Sequence, residues 1–369
     1  MRITALAGGI GGARFLRGLL HHLGSSGEPS APHEITVIGN TADDITLHGL
    51  RVCPDLDTVM YTLGGGIHPE QGWGRADEQY TVSEELAAYN QEPQWFSLGD
   101  RDLATHIVRT RLLGQGLTLS EVTAVLCERW QPGVRLLPMS DDRVETHVVI
   151  EDPDTLSDPN DPGTNDPGTN DPGTNDPGTN TPRTRAVHFQ EWWVRLHAAV
   201  PARQILAVGI EQAEPAPGVL AAIREADVVL LPPSNPVVSI GTILGVPGIR
   251  EALRGTRAPV VGVSPIIAGA PVRGMADACL TAIGVATSAA AVAGLYADFL
   301  NGWLVDTADA DLSTGLPTGL STGTGLGQPG RPAVLARPLL MTDVAAGAAI
   351  AAAALELAGS LGARTAARA

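Results

Sequence analysis

Acidic side chains gather in two short polar segments near the start of the chain. Asp43 and Asp44 follow an apolar run in the segment NTADD, and Asp55 and Asp57 lie a little further on in CPDLDT. Carboxylate oxygens suit Mg²⁺, which takes one or two carboxylates and completes its shell with water and substrate phosphates. The four carboxylates therefore predict a magnesium site near the ends of buried strands. Alternatively, Asp55 or Asp57 would only cap the helix predicted to run to Leu63.

A glycine-rich turn, GGIGG at residues 8–12, joins the first apolar run to an apolar helix pattern. Glycines at such a turn let the backbone approach a phosphate, and the helix N-terminus directs N–H groups at it. Gly9, Gly11 and Gly12 are therefore candidate contacts to a nucleotide diphosphate. A dinucleotide fingerprint has a third glycine where this chain has Arg14, so a plain strand-to-helix turn is the alternative. Arg14 would favour an anionic ligand or cap a neighbouring element.

Two more polar loops precede predicted helices. Arg101 stands between two aspartates in GDRD, a place where the helix macrodipole favours acids. A bidentate contact to a phosphate or planar ligand would explain this arginine, and an ion-paired surface is the alternative. Ser234 and Asn235 lie in LPPSNPVVSIG after a very apolar run. That loop is a candidate nucleotide contact, or else a structural turn.

Composition excludes several classes of function. The 369 residues carry 40 acidic and 24 basic side chains, a formal net charge of −16, without the basic clusters that neutralise nucleic-acid phosphates. Three widely spaced cysteines, Cys53, Cys127 and Cys279, argue against a disulfide framework or structural zinc and favour the cytoplasm. None of the nine histidines lies in an HExxH or GxSxG motif, which gives zinc hydrolysis and serine acyl transfer little support.

The apolar segments do not predict a membrane anchor. The glycines and Arg14 interrupt the first apolar run too early for a signal peptide. Near the C-terminus, VAAGAAIAAAAL ends at Glu356, which is short of the ~20 apolar residues that span a bilayer.

The order of apolar runs predicts an α/β protein. Short β-branched runs alternate with amphipathic stretches, as in a Rossmann-like, doubly wound and mostly parallel sheet. We assign residues 1–84 and 201–369 to this nucleotide-binding core, and residues 85–200 to an inserted mixed α/β subdomain. The predicted strands are Ile3–Ala7, Ile35–Ile38, Ile205–Val208, Val228–Leu231 and Val260–Val263, and the predicted helices begin near Gly12, Ala104, Ser120, Gly218, Ile249, Met275, Ser288 and Thr342.

Two segments break the globular pattern. DPGTN occurs four times in succession from Asp161 to Asn180, and its turn-forming residues have almost nothing to bury. We predict a disordered loop over 158–182 that joins two strands of a hairpin, VETHVVI and AVHFQ. The repeat lacks the ligand spacing and glutamate of an EF-hand. The Gly/Thr/Leu-rich stretch 307–331 is predicted to be a second flexible loop.

Eight motifs, taken in order, resemble the 2-phospho-L-lactate transferase family. The resemblance is closest to its actinobacterial branch, the phosphoenolpyruvate transferases of coenzyme F420 biosynthesis. It covers residues 1 to about 305 and resumes near Leu339, whereas the repeat and the Gly/Thr-rich stretch depart from the pattern. The motifs are AGGIGGARFLRGL, NTADD, CPDLDTVMYTLGG, LGDRDLATHIVR, SDDRVETHV, HFQEWWVR, PPSNPVVSIGTIL and SPIIAG.

The resemblance implies a Rossmann-like cytoplasmic homodimer. It would join the deazaflavin Fo (7,8-didemethyl-8-hydroxy-5-deazariboflavin) to the three-carbon phosphate of a guanosine-activated donor. The bacterial donor is expected to be enolpyruvoyl-diphospho-guanosine, giving dehydro-F420-0 and GMP, while archaeal relatives use a lactyl donor. One double bond separates the two donors, and side-chain types do not distinguish them.

The resemblance also implies roles for particular residues. The family's metal- and Fo-binding carboxylates correspond to Asp43 and Asp57, and its Fo-contacting arginine to Arg101. We therefore expect Mg²⁺ on Asp43 and Asp57, both catalytic, with Asp57 also orienting or deprotonating the attacking ribityl hydroxyl. The glycine loop with Ser234 and Asn235 would hold the guanosine diphosphate. Such a transfer needs positioning and charge neutralisation more than covalent catalysis.

Two other functions stay open at this level. A Rossmann-like protein that binds nucleotide sugars and regulates metabolism without turnover would share the glycine loop, but would not need both the DLDT and GDRD segments. A nicotinamide dehydrogenase is disfavoured by Arg14 in place of the third glycine.

Overall fold

The computed structural model describes residues 1–25, 33–151, 183–310 and 332–366. Its strands are β1 (Arg2–Ala7), β2 (Glu34–Gly39), β3 (Ile45–Leu47), β4 (Leu50–Val52), β5 (Arg135–Pro138), β6 (Glu145–Glu151), β7 (Thr184–His188), β8 (Ala202–Val208), β9 (Val228–Leu231), β10 (Val260–Val263), β11 (Ile266–Ile267), β12 (Ala270–Pro271), β13 (Gly302–Val305) and β14 (Ala333–Ala336). Its α-helices are α1 (Gly9–Ser25), α2 (Pro54–Leu63), α3 (Thr81–Ala88), α4 (Asp100–Gly114), α5 (Leu119–Trp130), α6 (Val219–Arg224), α7 (Ile240–Gly245), α8 (Ile249–Gly255), α9 (Ala276–Ala282), α10 (Ala289–Gly294) and α11 (Val344–Ala366).

Seven parallel strands form the main sheet, in the order β14-β13-β10-β9-β1-β2-β5. Strands β9 and β10 are buried along their whole length, as expected for a sheet that is covered on both faces. On one face the core includes side chains of α1, α2, α5 and α11, and on the other side chains of α6, α7, α8 and α10. This architecture confirms the predicted Rossmann-like, doubly wound fold.

Four of the five predicted strands lie in the main sheet, but the fifth does not. Residues 205–208 end β8, which pairs antiparallel with β6 in a separate three-stranded sheet of order β7-β6-β8. The assignment of this strand to the parallel sheet was wrong, because a short apolar run carries no information about its partner. Arg203 and Gln204 in β8 are exposed, as at the edge of a small sheet.

The predicted boundaries at 85 and 200 also need correction. Strand β5 lies inside the range assigned to the insertion, yet it pairs in parallel with β2 at the edge of the main sheet. Strand β8 lies in the range assigned to the core, yet it belongs to the small sheet. The chain therefore adds β5 to the main sheet before β6, β7 and β8 form the small sheet.

The predicted hairpin is confirmed, since β6 and β7 pair antiparallel with His147 opposite His188. The loop prediction over 158–182 lies outside the described residues. In the second predicted loop, Thr307–Asp309 form a 3₁₀ turn, and residues 311–331 lie outside the described part.

Helix α11 extends beyond the apolar run that precedes Glu356 and ends at Ala366. Its segment Val344–Gly362 has a mean hydropathy of 1.7 and is long and apolar enough to cross a membrane by those criteria alone. The helix packs instead on α1, where Gly18 and Gly347 let the two backbones touch. Ile350, Ala351 and Ala354 are buried in the core, so α11 serves as a core helix.

Candidate active site

The glycine loop and the loop after β9 meet at the carboxyl edge of the main sheet, where ligands bind in open α/β folds. The Gly8 N–H donates to the Ser234 hydroxyl at 3.1 Å, and that hydroxyl donates to the Gly8 carbonyl at 2.8 Å. A Cβ on Gly11 would lie 2.2 Å from the Pro233 carbonyl oxygen, and one on Gly12 2.7 Å from the Ser234 hydroxyl. These two glycines are therefore required by the contact between the loops.

Ser234 and Asn235 shape the second loop. Ser234 is buried and bonded to the glycine loop on both its donor and acceptor sides. The Asn235 side-chain oxygen accepts the N–H groups of Val237 and Val238, which turns the chain toward α7. Both residues therefore stabilise the loop that is predicted to contact the donor nucleotide.

Asp55 adjoins the glycine loop, which the sequence did not indicate. A Cβ on Gly8 would lie 2.5 Å from Asp55 Oδ2, and Gly9, with a φ of +60°, donates its N–H to the same carboxylate. Neither Asp55 nor Asp57 caps α2, because the N-cap residue is Cys53, which makes no side-chain capping bond. The capping alternative is therefore wrong.

Asn40 connects three elements around Asp55. Its side-chain amide donates to Asp55 Oδ2 at 2.9 Å, and its oxygen accepts from Thr242 in α7 at 2.8 Å. Burial raises the pKa of Asp55 to about 6, against the hydrogen bond from Asn40. The chain therefore holds a carboxyl with unusual proton affinity beside the backbone of the glycine loop.

Asp43 is buried, and one of its carboxylate oxygens has no hydrogen-bond partner among the described residues. Its Oδ1 is buried and makes no hydrogen bond within the described part of the chain, although the nearby Thr146 and Asn40 side chains favour its charged form. Burial, followed by the charge of Asp55, raises its pKa well above the ordinary value. An unpartnered buried carboxylate oxygen is costly, and a cation or donor that meets it would remove the cost.

Asp44 belongs to a structural ion pair. Both Nε and Nη2 of Arg51 donate to Asp44 Oδ2, at 3.0 and 2.8 Å. Burial raises its pKa even against the attraction of Arg51. Asp44 thus pairs with Arg51 through Oδ2, while its buried Oδ1 makes no hydrogen bond to the described residues.

Asp57 pairs with a buried arginine of α4. Arg109 Nη2 donates to Asp57 Oδ1, and His106 Nδ1 lies 3.8 Å from Asp57 Oδ2. Asp57 Oδ2 is buried and makes no hydrogen bond to any described residue. Attraction to Asp57 raises the pKa of Arg109 despite burial, so the guanidinium remains charged.

The same helix fixes the tautomer of His106. Arg109 Nη1 lies 3.1 Å from His106 Nδ1, and arginine can only donate, so Nδ1 accepts and the hydrogen resides on Nε2. Nε2 faces Asp102 Oδ2 at 3.3 Å, and Tyr61 donates to Asp102 Oδ1 at 2.7 Å. Although burial opposes it, bonding to His106 and Tyr61 lowers the pKa of Asp102. Asp57 is therefore held by Arg109, which itself contacts His106.

Arg101 lies at the exposed start of α4. Its backbone N–H donates to Glu78 at 2.8 Å, but its guanidinium makes no hydrogen bond or ion pair with the residues that the structure describes. The ion-paired alternative is therefore not what the structure shows, and the group is free to meet a ligand.

The comparisons decide the family. The family profile for 2-phospho-L-lactate transferase CofD matches residues 3–315. The chain belongs to this family. It is 59% identical over 362 residues to a phosphoenolpyruvate transferase of Thermobifida fusca, with 97% of this chain and 98% of that protein covered.

Further relatives of this CofD-family chain carry the same name. A phosphoenolpyruvate transferase of Streptomyces coelicolor is 57% identical, covering 97% of this chain and 98% of that protein. One of Mycolicibacterium smegmatis is 51% identical, covering 97% and 99%. Among solved structures, protein BH3568 from Bacillus halodurans has a TM-score of 0.54 at 16% identity and covers 96% of this chain and 99% of that one, which shows the fold alone. The chain is an enzyme of the phosphoenolpyruvate/2-phospho-L-lactate transferase type.

Sequence reasoning missed Arg109, His106 and Asn40 in this CofD-family site. The signal for the first two was present, because Asp102, His106 and Arg109 are spaced four and three residues apart and therefore share a helix face. A buried polar face on an otherwise ordinary helix indicates a site. Asn40 gave no signal beyond its position at the end of β2.

The residues present fit a magnesium ion. Asp43, Asp44 and Asp57 each keep one buried carboxylate oxygen without a partner in the described ranges, and of these Asp44 is already ion-paired with Arg51 through its other oxygen. Among the same residues no set of three or more His, Cys, Asp and Glu side chains is arranged to hold a metal. Two carboxylates completed by water and substrate phosphates are the arrangement typical of Mg²⁺.

Proposed function

We propose that this chain transfers the phosphoenolpyruvyl group of enolpyruvoyl-diphospho-guanosine to the ribityl hydroxyl of Fo in coenzyme F420 biosynthesis. The observation that carries the proposal is that Asp43 Oδ1 and Asp57 Oδ2, at the sheet edge that bears the glycine loop, are buried and make no hydrogen bond to the described residues. Family membership supports the transferred group, and we infer the acceptor and the guanosine donor.

The reaction would be a phosphoryl transfer between two oxygens. The ribityl oxygen forms a bond to the phosphorus that bears the enolpyruvyl group, and the bond from that phosphorus to the oxygen of GMP breaks. The hydroxyl proton leaves toward the Asp57 carboxylate, while the departing oxygen of GMP takes up the negative charge of the broken bond. Such chemistry requires alignment and charge neutralisation.

Each element of the site has a role in this proposal. The glycine loop, with Gly9, Gly11 and Gly12, would hold the diphosphate through the N-terminus of α1. Ser234 and Asn235 would position the loop that faces the guanosine. Arg101 would contact the deazaflavin with its free guanidinium.

Asp43 and Asp57 would hold the metal. When bound, Mg²⁺ would neutralise charge on the diphosphate. Arg109 keeps Oδ1 of Asp57 occupied, which leaves Oδ2 facing the ligand. We further propose that the enzyme acts as a homodimer in the cytoplasm.

Mass spectrometry of the products tests the proposal. The protein is incubated with Fo, Mg²⁺ and either the enolpyruvyl or the lactyl guanosine donor. We expect dehydro-F420-0 and GMP from the enolpyruvyl donor. Binding of guanosine nucleotides without any modified Fo would contradict the proposal and favour a nucleotide-binding regulator.

A further inference from the structure

Three arginines lie together beside the start of α1. Arg14 and Arg17 are on α1, and Arg273 follows β12 in the segment that leaves the carboxyl end of β10. A Cβ placed on the buried Gly72 would lie 3.5 Å from Arg14 Nη2 and 3.6 Å from Arg273 Nη1. The two guanidinium groups therefore flank the same glycine.

The cluster lacks an acidic partner. None of the three arginines forms an ion pair with a carboxylate within the described residues, and Arg17 Nε is buried without a hydrogen bond there. Among the described residues, Arg273 donates only to the Gln71 carbonyl, at 3.0 Å. Burial, with the charges of Arg273 and Arg17, lowers the pKa of Arg14.

Two buried arginines elsewhere in the chain differ from this cluster, because each is paired with an aspartate. With 40 acidic and 24 basic residues, acidic partners are abundant, and the buried Arg51 and Arg109 each have an aspartate. Like charges held together without a carboxylate raise the free energy of the protein, and an anionic ligand would lower it.

The cluster borders the glycine loop. Ile10 precedes Arg14 by four residues, on the same face of α1, and a Cβ on Gly72 would lie 3.1 Å from Ile10 Cγ2. Ile10 is itself part of the glycine loop. An anionic group that extends beyond a phosphate at the N-terminus of α1 would therefore reach Arg14 and Arg273.

We propose that Arg14 and Arg273 form a second anion subsite, which binds the donor group next to the phosphate held by the glycine loop. The group is a phosphate or a carboxylate, because a guanidinium pairs with both in bidentate geometry. The inference rests on the proposed function for its ligand. Two sources fit: the second phosphate of the guanosine diphosphate, and the carboxylate of the three-carbon unit.

The test compares Arg273→Gln with Arg257→Gln. Both residues are exposed arginines, so both variants change the net charge equally, but Arg257 precedes β10 and lies at the opposite edge of the sheet. The affinities of GMP and GDP are measured by calorimetry, and the KM of the enolpyruvyl donor by turnover. Arg14→Lys, which keeps the charge but loses the planar fork, is the second variant.

We expect Arg273→Gln to weaken binding roughly tenfold, as for the loss of one charge-assisted hydrogen bond, while Arg257→Gln has no effect. Weaker binding of GDP with unchanged GMP would assign the subsite to the second phosphate. Unchanged GDP with a raised donor KM would assign it to the carboxylate. Arg14→Lys should show a smaller loss in the same assay.

Equal affinities in Arg273→Gln and Arg257→Gln for GDP and donor would overturn the subsite. This result is distinguishable from failure of the proposed function, in which the unmodified protein itself makes no product from Fo. In that case the GDP measurement alone still decides whether the arginines bind a phosphate.

Discussion

At the scale of single residues, the ion pair of Asp57 and Arg109 supports the site most directly. Arg109 is 1% exposed and donates to Asp57 Oδ1, His106 Nδ1 and the Arg51 carbonyl. Its removal leaves the buried Asp57 charge without a partner. The positions of the two remaining polar side chains, His106 and Asp102, then also become less fixed.

Arg109→Met should therefore destabilise the protein by about 3–5 kcal/mol, the cost of leaving one buried charge unpaired. Urea unfolding followed by circular dichroism measures the change. The matched control is Arg111→Met on the same helix, where the arginine is exposed and the change should stay within about 0.5 kcal/mol. Equal stabilities of the two variants would show that the pair contributes nothing.

Asp57→Asn separates the chemistry from the fold. The asparagine oxygen can still accept from Arg109, so the protein should remain folded, but the amide neither binds a cation well nor takes up a proton. We expect the rate of transfer to fall at least ~100-fold. The exposed Asp77→Asn is the control and should retain its rate. Turnover by Asp57→Asn at the normal rate would remove Asp57 from the mechanism.

At the scale of elements, α1 must sit close to α11 for the glycine loop to be held in place. A Cβ on Gly18 would lie 2.3 Å from the Gly347 carbonyl carbon, whereas Gly24, in the same helix, has nothing within 4 Å. The two glycines therefore differ in environment and not in secondary structure.

Gly18→Ala should lower the free energy of unfolding by about 1–3 kcal/mol, because the two helix backbones must separate. Gly24→Ala should raise it by up to about 1 kcal/mol through helix propensity. Thermal unfolding of both variants measures the contrast. A neutral Gly18→Ala would mean that α11 packs less closely on α1 than described.

Asp306 connects the end of β13 to the segment before α11. Its carboxylate accepts the N–H groups of Ala308 at 2.9 Å and Leu339 at 2.8 Å. Burial acts in the opposite direction, but these bonds lower the pKa of Asp306. A lowered pKa stabilises the fold above the unfolded value, about 3.9, and this stabilisation is lost as the pH falls through the folded value.

Asp306→Asn should therefore be less stable than the unmodified protein at pH 7, and the difference should shrink as the pH falls below about 4. Urea unfolding at several pH values between these limits gives the curve. A difference that stays constant with pH would show that the charge of Asp306 is not involved.

At the scale of the whole molecule, the sequence predicted the fold well. Apolar β-branched runs such as VVLL identified the central strands, because both faces of a parallel sheet are buried. They did not identify the partner of β8, since pairing depends on contacts distant in sequence. The acidic segments lie near the carboxyl ends of the buried strands, as the sequence predicted.

The detailed arrangement of the carboxylates required the structure. The spacing of the four acids in the sequence did not distinguish Asp44 and Asp55 from the other two. In the structure, Asp44 pairs with Arg51, and Asp55 adjoins the glycine loop. Such partners come from other elements, and no local spacing encodes them. The assignment of metal and substrates to individual residues stays a prediction.

One measurement tests the central claim most directly: a crystal structure of the protein with GDP, Fo and Mn²⁺ in place of Mg²⁺. We expect an anomalous Mn²⁺ peak at about 2.2 Å from Asp43 Oδ1 and Asp57 Oδ2, with the diphosphate against the glycine loop. A diphosphate bound away from this edge, with both carboxylates touching neither ion nor substrate, would contradict the account.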